Sequence, residues 1–142
     1  MRIFCLCVVK NEGDVLEESI WAAARWSDGI FIADNGSDDD TPAIIERLVS
    51  RHSNVFNAGP ITEPFTDDMR GKVFRRVSGV SRRGDWWCKL DADEFFIDDP
   101  KEFIATLPRE TDTVWGSFFT FYFTEDDLRR YESDPARFLA TA

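Results

Sequence analysis

The sequence has few of the residues that most often build metal sites and disulfide frameworks. Its 142 residues include one histidine and three cysteines, which are Cys5, Cys7 and Cys88. Their odd number, and their position in apolar strand-like segments, predict reduced, buried thiols rather than a disulfide framework. Cys5 and Cys7 form a C-x-C pair, but no second cysteine or histidine pair follows that could complete a zinc site. His52 lies in a helix-to-strand connection, and we assign it no role.

Basic residues are in the minority. The chain has 17 lysines and arginines against 27 aspartates and glutamates, which gives a formal net charge of −10. This balance argues against nucleic acid as a partner, because that binding depends on neutralising phosphates with lysine and arginine. A protein with this negative net charge can still bind a small phosphorylated ligand if a cation mediates the binding.

Long apolar runs, low-complexity tracts, internal repeats and linkers are all missing. The apolar run Ile3–Val9 is too short to span a bilayer, and no small-residue cleavage site follows it. We therefore expect no integral membrane segment and a cytoplasmic location. The length and the 43% hydrophobic content favour a single domain over residues 1–142.

Strand-like and helix-like segments alternate along the chain. The run Ile3–Val9 is typical of a strand that is buried on both faces, and Asp14 with Glu17 resembles a capping box at the start of a helix. We expect strands at 3–9, 29–33, 55–56, 86–90 and 113–123, and helices that start near Asp14, Thr41, Asp67, Asp99, Thr124 and Asp134. This order predicts an open, mainly parallel α/β sheet.

Polar clusters follow three of the predicted strands. They are Lys10-Asn11-Glu12, Asp34-Asn35-Gly36-Ser37 and Asp91-Ala92-Asp93-Glu94. In open parallel sheets, ligands bind beyond the carboxyl ends of the strands. Three polar clusters at one edge of the sheet therefore predict a binding site.

The most informative cluster is the D-x-D sequence at Asp91 and Asp93. If the chain stays extended there, both carboxylates leave the same face and can converge on one cation, for which Mg²⁺ or Mn²⁺ is suited. Two like charges about 4 Å apart repel by roughly 4 kcal/mol at an effective dielectric constant near 20. A diphosphate that enters an acidic rim therefore needs a metal ion. The alternative is that these residues are loop solubilisers or helix caps.

The cluster that begins at Asp34 has two interpretations. A carboxylate at a strand end beside a glycine turn is suited to accept hydrogen bonds from a ribose or a base edge. The alternative is a turn followed by a helix N-cap, since Asn, Gly and Asp are the commonest turn residues. We assign Asp38–Asp40 mainly to the second role.

Three blocks together resemble a known family. Val8–Glu12, Asp34–Asp39 and Asp85–Phe95 are similar to family 2 glycosyltransferases, most closely to a bacterial branch with "KNE", "DNGSxD" and "DADEF" blocks. The resemblance covers residues 3 to about 105. It implies a GT-A, Rossmann-like three-layer fold with an open, mostly parallel sheet. It also implies a nucleotide-sugar-binding domain, with most of the acceptor side outside this chain.

The resemblance implies a metal-dependent, inverting transfer from a UDP- or GDP-sugar to a saccharide or another hydroxyl acceptor. The implied donor-binding residues are Lys10, Asn11, Glu12, Asp34, Asn35, Gly36, Ser37 and Asp91. Asp34 would face the nucleoside, whose pocket Asn11 and Glu12 help to shape. Asp91 and Asp93 would hold Mn²⁺ or Mg²⁺, with Asp93 preferred as the direct ligand. No catalytic base is assigned, because the acidic cluster Glu125–Asp127 is better explained as the first turn of a helix.

Two other functions stay open. A non-catalytic nucleotide-sugar-binding module or fragment fits the same residues, because the acceptor half is expected to be short. A nucleotidyltransferase ranks lower, because it would need a glycine-rich basic loop where this chain has Lys10–Gly13. Six of the 17 basic residues lie within residues 70–83. We interpret them as a solvated helix face in preference to a diphosphate or lipid contact.

Overall fold

Four parallel strands form the sheet of the first of two structural units, which spans Met1–Leu107. The computed structural model describes residues 1–64, 66, 68–117 and 124–134. The strands are β1 (Ile3–Val9), β2 (Gly29–Asp34), β3 (Val55–Asn57) and β4 (Trp86–Lys89). Their order is β3-β2-β1-β4, and each neighbouring pair is parallel. The parallel α/β sheet expected from the sequence is confirmed in this unit.

Helices cover both faces of this sheet. They are α1 (Leu16–Ala24), α2 (Thr41–Arg51), α3 (Met69–Val77) with a 3₁₀ turn at Ser78–Val80, and α4 (Pro100–Ala105). Side chains of β1 alternate between the faces. Cys5 and Cys7 belong to the core with α1 and α2, whereas Leu6 and Val8 belong to the core with α3. The result is three layers around a buried β1.

The start of the first helix differs from the sequence prediction. The residue before α1 is Val15, and no side chain caps the helix, so the predicted capping box of Asp14 and Glu17 is wrong. The Glu17 carboxylate instead accepts hydrogen bonds from Arg47 and Arg51 of α2. Bonds to residues of a neighbouring helix thus replace the local capping interaction that the sequence predicted for Glu17.

The end of α3 also differs from the prediction, which continued the helix to residue 83. Its regular part ends at Val77 and a 3₁₀ turn follows at Ser78–Val80. Glycine at position 79 weakens helix continuation. The predicted first residue, Asp67, lies outside the described residues. The predicted cap at Asp99 is confirmed, since its side chain accepts hydrogen bonds from the first N–H groups of α4.

The cysteines occupy the sheet as free thiols. Cys5 and Cys7 are buried and Cys88 is half-buried, and all three are unbridged. Burial raises the pKa of the Cys7 thiol to about 12. A hydrogen bond with Cys88 raises the pKa of Cys5. The prediction of reduced thiols is confirmed, although Cys88 is less buried than expected.

The second unit spans Pro108–Ala142 and is described only in part. Its helix α5 (Glu125–Ser133) begins at a capping box formed by Thr124 and Asp127, which confirms the predicted start. The predicted strand 113–123 does not form in residues 113–117, which are exposed. Strand propensity reflects packing against neighbours, so aromatic content alone does not produce a strand. Residues 118–123, and the helix predicted beyond Asp134, lie outside the described residues.

Within the described residues, no helix has the length and apolar character needed to cross a membrane.

Candidate functional site

A cavity of about 570 Å³ lies at the carboxyl ends of the strands in the first unit. Its lining residues are Val8, Val9, Lys10, Asn11, Glu12, Asn35, Arg70, Lys89, Asp91, Ala92 and Asp93. The structure therefore brings together residues from all three polar clusters. Of the residues predicted to bind a donor or a metal, Asp34, Gly36 and Ser37 are not among the lining residues.

Asn11 joins the loop after β1 to the loop after β2. Its side chain and the Asp38 residue exchange two hydrogen bonds, from Asn11 Nδ2 to Asp38 Oδ1 at 2.7 Å and from the Asp38 N–H to Asn11 Oδ1 at 2.9 Å. The Asn11 N–H also donates to Ser37 Oγ at 2.9 Å. Asn11 has a φ of 56°, a left-handed conformation that asparagine tolerates better than most residues. These bonds fix one wall of the cavity.

Asp34 uses its carboxylate within its own turn. Its oxygens accept hydrogen bonds from the Gly36 N–H at 3.1 Å, the Ser37 N–H at 3.3 Å and the Ser37 hydroxyl. Gly36 has a φ of 76°, which only glycine adopts readily. The structure therefore places Asp34 as a support for the turn that presents Asn35.

Asn35 is a buried polar residue with a defined set of partners. Its Nδ2 group donates to the carbonyl oxygens of Ile61 at 3.0 Å and Glu63 at 2.9 Å, and its N–H donates to the Val9 carbonyl at 2.8 Å. Asn35 thus ties the chain beyond β3 to the end of β1, through its side chain on one side and its backbone N–H on the other. The sequence predicted Asn35 as a site residue but gave no sign of this link.

Glu12 is the acidic side chain contributed by the first loop. Its backbone N–H donates to Thr41 Oγ1 at 2.9 Å, which anchors the loop to α2. Burial raises the pKa of the Glu12 carboxyl, and the negative charge of Asp93 raises it further. Both effects penalise the charged carboxylate, and a nearby cation would offset them.

Asp91 is paired with two cations. Its Oδ1 accepts a hydrogen bond from the guanidinium of Arg70, and its Oδ2 lies 3.0 Å from Lys89 Nζ. Arg70 comes from the first turn of α3, which the sequence assigned to a solvated face. That assignment is wrong for Arg70, whose side chain is only 18% exposed. A helix between parallel strands begins at the carboxyl-end edge of the sheet, and this topological rule could have identified Arg70.

Asp93 reaches the cavity by a different backbone path from the expected one. The chain turns after Asp91, whose carbonyl accepts a hydrogen bond from the Glu94 N–H at 3.1 Å. The extended spacing on which the D-x-D argument depended is therefore not kept, although both aspartates line the cavity. Asp93 is exposed.

The cavity lining is balanced in charge rather than acidic. Lys10, Arg70 and Lys89 face it together with Glu12, Asp91 and Asp93. The structure therefore adds Arg70 and Lys89 to the acidic residues and Lys10 that the sequence placed at this rim. The cations come from different parts of the sequence, so the local acidic cluster gave an incomplete view.

The described residues contain no group of three or more His, Cys, Asp or Glu side chains arranged to hold a metal ion. Mg²⁺ is commonly bound through one or two carboxylates plus substrate phosphates, without a complete protein cage. Glu12 and Asp93 provide two hard carboxylate donors at one cavity. The residues present therefore fit a divalent ion that binds together with a phosphate-bearing ligand.

The acidic cluster Glu125–Asp127 belongs to the first turn of α5, as the sequence indicated. Asp127 exchanges hydrogen bonds with Thr124, and these bonds lower the pKa of its carboxyl. Glu125 and Asp126 contact Arg129 on the same helix.

Comparison with known proteins identifies the family. The model of glycosyl transferase family 2 matches residues 5–140. The solved structure of S. aureus TarS, residues 1–349, is similar to this chain with a TM-score of 0.52 and 18% sequence identity. The match covers 74% of this chain and 30% of the TarS chain, and at this identity it shows the fold alone. No curated protein sequence matches. The chain belongs to glycosyl transferase family 2, and its sheet has the GT-A, Rossmann-like fold.

Proposed function

We propose that this chain forms the donor-binding part of a metal-dependent, inverting glycosyltransferase. Its donor would be a UDP- or GDP-sugar, and its acceptor a hydroxyl of a saccharide or of another molecule. The observation that carries the proposal is the cavity at the carboxyl ends of the strands, with three carboxylates and three cations in its lining. Its volume of about 570 Å³ lies within the usual range for small-molecule sites, about 300–1,000 Å³.

The mixture of charges suits a nucleoside diphosphate with a divalent ion. Arg70, Lys89 and Lys10 are available to the phosphate oxygens, and arginine and lysine are the usual phosphate-binding side chains. Asp93 and Glu12 are available to Mn²⁺ or Mg²⁺. We keep Asp91 in the site as a donor-binding and metal-associated residue.

The nucleoside end of the donor would lie against the loops after β1 and β2. Asn11 and Asn35 line that part of the cavity. The side chain of Asn11 accepts a hydrogen bond from the Asp38 N–H, and that of Asn35 donates to the Ile61 carbonyl. We propose that Asp34, Gly36 and Ser37 support nucleoside binding by shaping the turn that holds Asn35. Asp34 would then act as a positioning residue.

The transfer itself is a displacement at the anomeric carbon. The bond from this carbon to the diphosphate oxygen breaks, and its electron pair leaves with the diphosphate. The acceptor oxygen forms the new bond on the opposite face, and its proton passes to a base that we do not assign. A bound divalent ion supplies neutralisation of the charge that develops on the leaving diphosphate. Lys10, Arg70 and Lys89 would stabilise the same charge.

A non-catalytic nucleotide-sugar-binding module is the second candidate. It is favoured by the acidic residues of α5, because Asp127 is occupied by its helix cap and Glu125 and Asp126 contact Arg129. Release of free sugar from the donor, or transfer to an added acceptor, would distinguish an enzyme from such a module.

The test is thermal unfolding with UDP, GDP, UDP-sugars and GDP-sugars, each with and without Mn²⁺. At least one nucleotide should raise the Tm only when Mn²⁺ is present, and Asp93→Ala should abolish the rise. Asp40→Ala is the matched control, because Asp40 is exposed and its side chain makes no capping bond to α2. The proposal fails if the nucleotides leave the Tm unchanged in the presence of Mn²⁺.

A further inference from the structure

Asp91 differs from the other two cavity carboxylates in its partners. Arg70 and Lys89 occupy its two oxygens from two different elements, α3 and β4. Glu12 and Asp93 have no ion-pair partner among the described residues. We call Arg70, Lys89 and Asp91 the Asp91 cluster. One D-x-D aspartate is therefore neutralised by the chain itself, while the other is open to a ligand.

The Asp91 cluster is more than a surface ion pair. The Asp91 side chain is 25% exposed and the Arg70 side chain 18%, so solvent screens their attraction only in part. Arginine side chains carry a positive charge at every physiological pH. A divalent ion that approached Asp91 would meet two fixed positive charges before it reached an oxygen.

Arg70 also has an unused hydrogen-bond donor. Its Nε atom is buried and has no hydrogen-bond partner in the described structure, although one terminal nitrogen bonds to Asp91. A buried donor without an acceptor costs free energy, and a ligand oxygen would recover it. The guanidinium could bind a phosphate through two parallel N–H groups, which is its preferred geometry.

We propose that Arg70 and Lys89 block metal binding at Asp91 until a nucleoside diphosphate is present. The phosphate oxygens then replace Asp91 as the partners of these two cations, and Asp91 is released toward the metal. The inference rests on the proposed nucleotide site and adds an order of binding to it. The nucleotide binds to Arg70 and Lys89 first, and Asp91 becomes available to the metal ion as a result. This order also explains why the free chain holds the D-x-D aspartates in unlike surroundings.

The test is a titration of Mn²⁺ in the absence of nucleotide, followed by electron paramagnetic resonance of free Mn²⁺ or by calorimetry. Wild type should bind Mn²⁺ weakly. Arg70→Met removes the charge and keeps an apolar stem, and it should raise the affinity for Mn²⁺ alone by about tenfold. Lys89→Met should act in the same direction. Both variants should bind UDP or GDP with Mn²⁺ about tenfold more weakly than wild type.

The control is Arg75→Met, which makes the same change of charge on the same helix. Arg75 pairs with Asp68, both are more than 60% exposed, and Arg75 does not line the cavity. It should leave both affinities unchanged. If Arg75→Met raises the affinity for Mn²⁺ as much as Arg70→Met does, the effect is one of net charge and the inference is overturned.

Further outcomes keep the inference separate from the proposed function. Equal Mn²⁺ affinity in wild type, Arg70→Met and Lys89→Met would overturn the inference, even if nucleotides bind as proposed. Absence of nucleotide binding to wild type would overturn the proposed function, while the titration of Mn²⁺ alone still decides whether the Asp91 cluster excludes metal. Circular dichroism reports folding of each variant. Arg70→Lys, which keeps the charge, should retain the weak Mn²⁺ binding of wild type. If Arg70→Met does not fold, Lys89→Met tests the same gain in Mn²⁺ affinity, because Lys89 is the other cation that pairs with Asp91.

Discussion

Asn11 and Asp38 bind each other through two hydrogen bonds, one donated by the Asn11 side chain and one donated by the Asp38 backbone. They join the loops that follow β1 and β2, the two neighbouring strands at the centre of the site. Asn11 forms these bonds from a left-handed backbone conformation, with a φ of 56°. A substitution at this position therefore changes both the hydrogen bonds and the backbone preference. The relationship explains how loops without regular structure can hold a defined cavity wall.

Replacement of Asn11 should therefore affect ligand binding more than stability. Asn11→Gly accepts the positive φ but loses the side-chain bonds, and it should lower the free energy of unfolding by about 1 kcal/mol. It should also weaken binding of UDP or GDP with Mn²⁺, measured by calorimetry. Asn57→Gly is the control, since Asn57 bonds to Glu46 away from the cavity. Equal nucleotide affinity of Asn11→Gly and wild type would contradict this role.

Asn35 should be required for stability as well as for the site. Asn35→Asp keeps the shape of the side chain but turns an oxygen toward the carbonyls of Ile61 and Glu63, which then lose their donor. We expect a loss of about 2–3 kcal/mol in the free energy of unfolding, measured by urea denaturation. Thr62→Val, an exposed change in the same segment, should cost much less. A loss below about 0.5 kcal/mol for Asn35→Asp would show that the segment beyond β3 does not depend on this amide.

The ion pair of Arg2 and Asp85 predicts a dependence of stability on pH. Arg2 bonds to Asp85 through its guanidinium, at 2.6 Å and 3.2 Å, and lowers the pKa of the carboxyl to about 2. A pKa that is lower in the folded state than in the unfolded state stabilises the fold above the unfolded pKa, about 4. This contribution is lost as the pH falls through about 2.

Asp85→Asn removes that contribution without changing the size of the side chain. The difference in free energy of unfolding between wild type and Asp85→Asn should be constant above about pH 5 and should shrink between about pH 4 and pH 2. Urea denaturation at a series of pH values measures it. Asp40→Asn is the control for the same change of side chain, because Asp40 makes no capping bond to α2. A difference that stays constant down to pH 2 would contradict the assignment.

The sequence predicted the parts of the fold that depend on local signals. Continuous apolar character identified β1, and the caps at Asp99 and Thr124 were read correctly because each bonds to N–H groups within three residues. The prediction failed where a side chain of a local motif bonds to residues far away in the sequence. Glu17 looked like part of a capping box, yet it binds Arg47 and Arg51, which lie 30 and 34 residues away.

The candidate site shows the same division. The polar residues at the strand ends were expected at one edge of the sheet. Lys10, Asn11, Glu12, Asn35 and the D-x-D aspartates line one cavity there. Arg70 was missed because its partner Asp91 lies 21 residues away, and a row of basic residues on a helix resembles a solvated face. The sequence therefore underestimated the positive charge of the site. An acidic cluster in the sequence does not show which cations the fold brings next to it.

We propose above all that this cavity binds a nucleoside diphosphate together with a divalent ion. Isothermal titration calorimetry of UDP and GDP into wild type, with Mn²⁺ and again with excess chelator, measures this binding. Binding at the cavity predicts heat of binding for at least one nucleotide with Mn²⁺, a strong loss of affinity with chelator, and loss of binding in Asp93→Ala. No binding of either nucleotide with Mn²⁺, or binding of equal affinity with chelator, would contradict the claim.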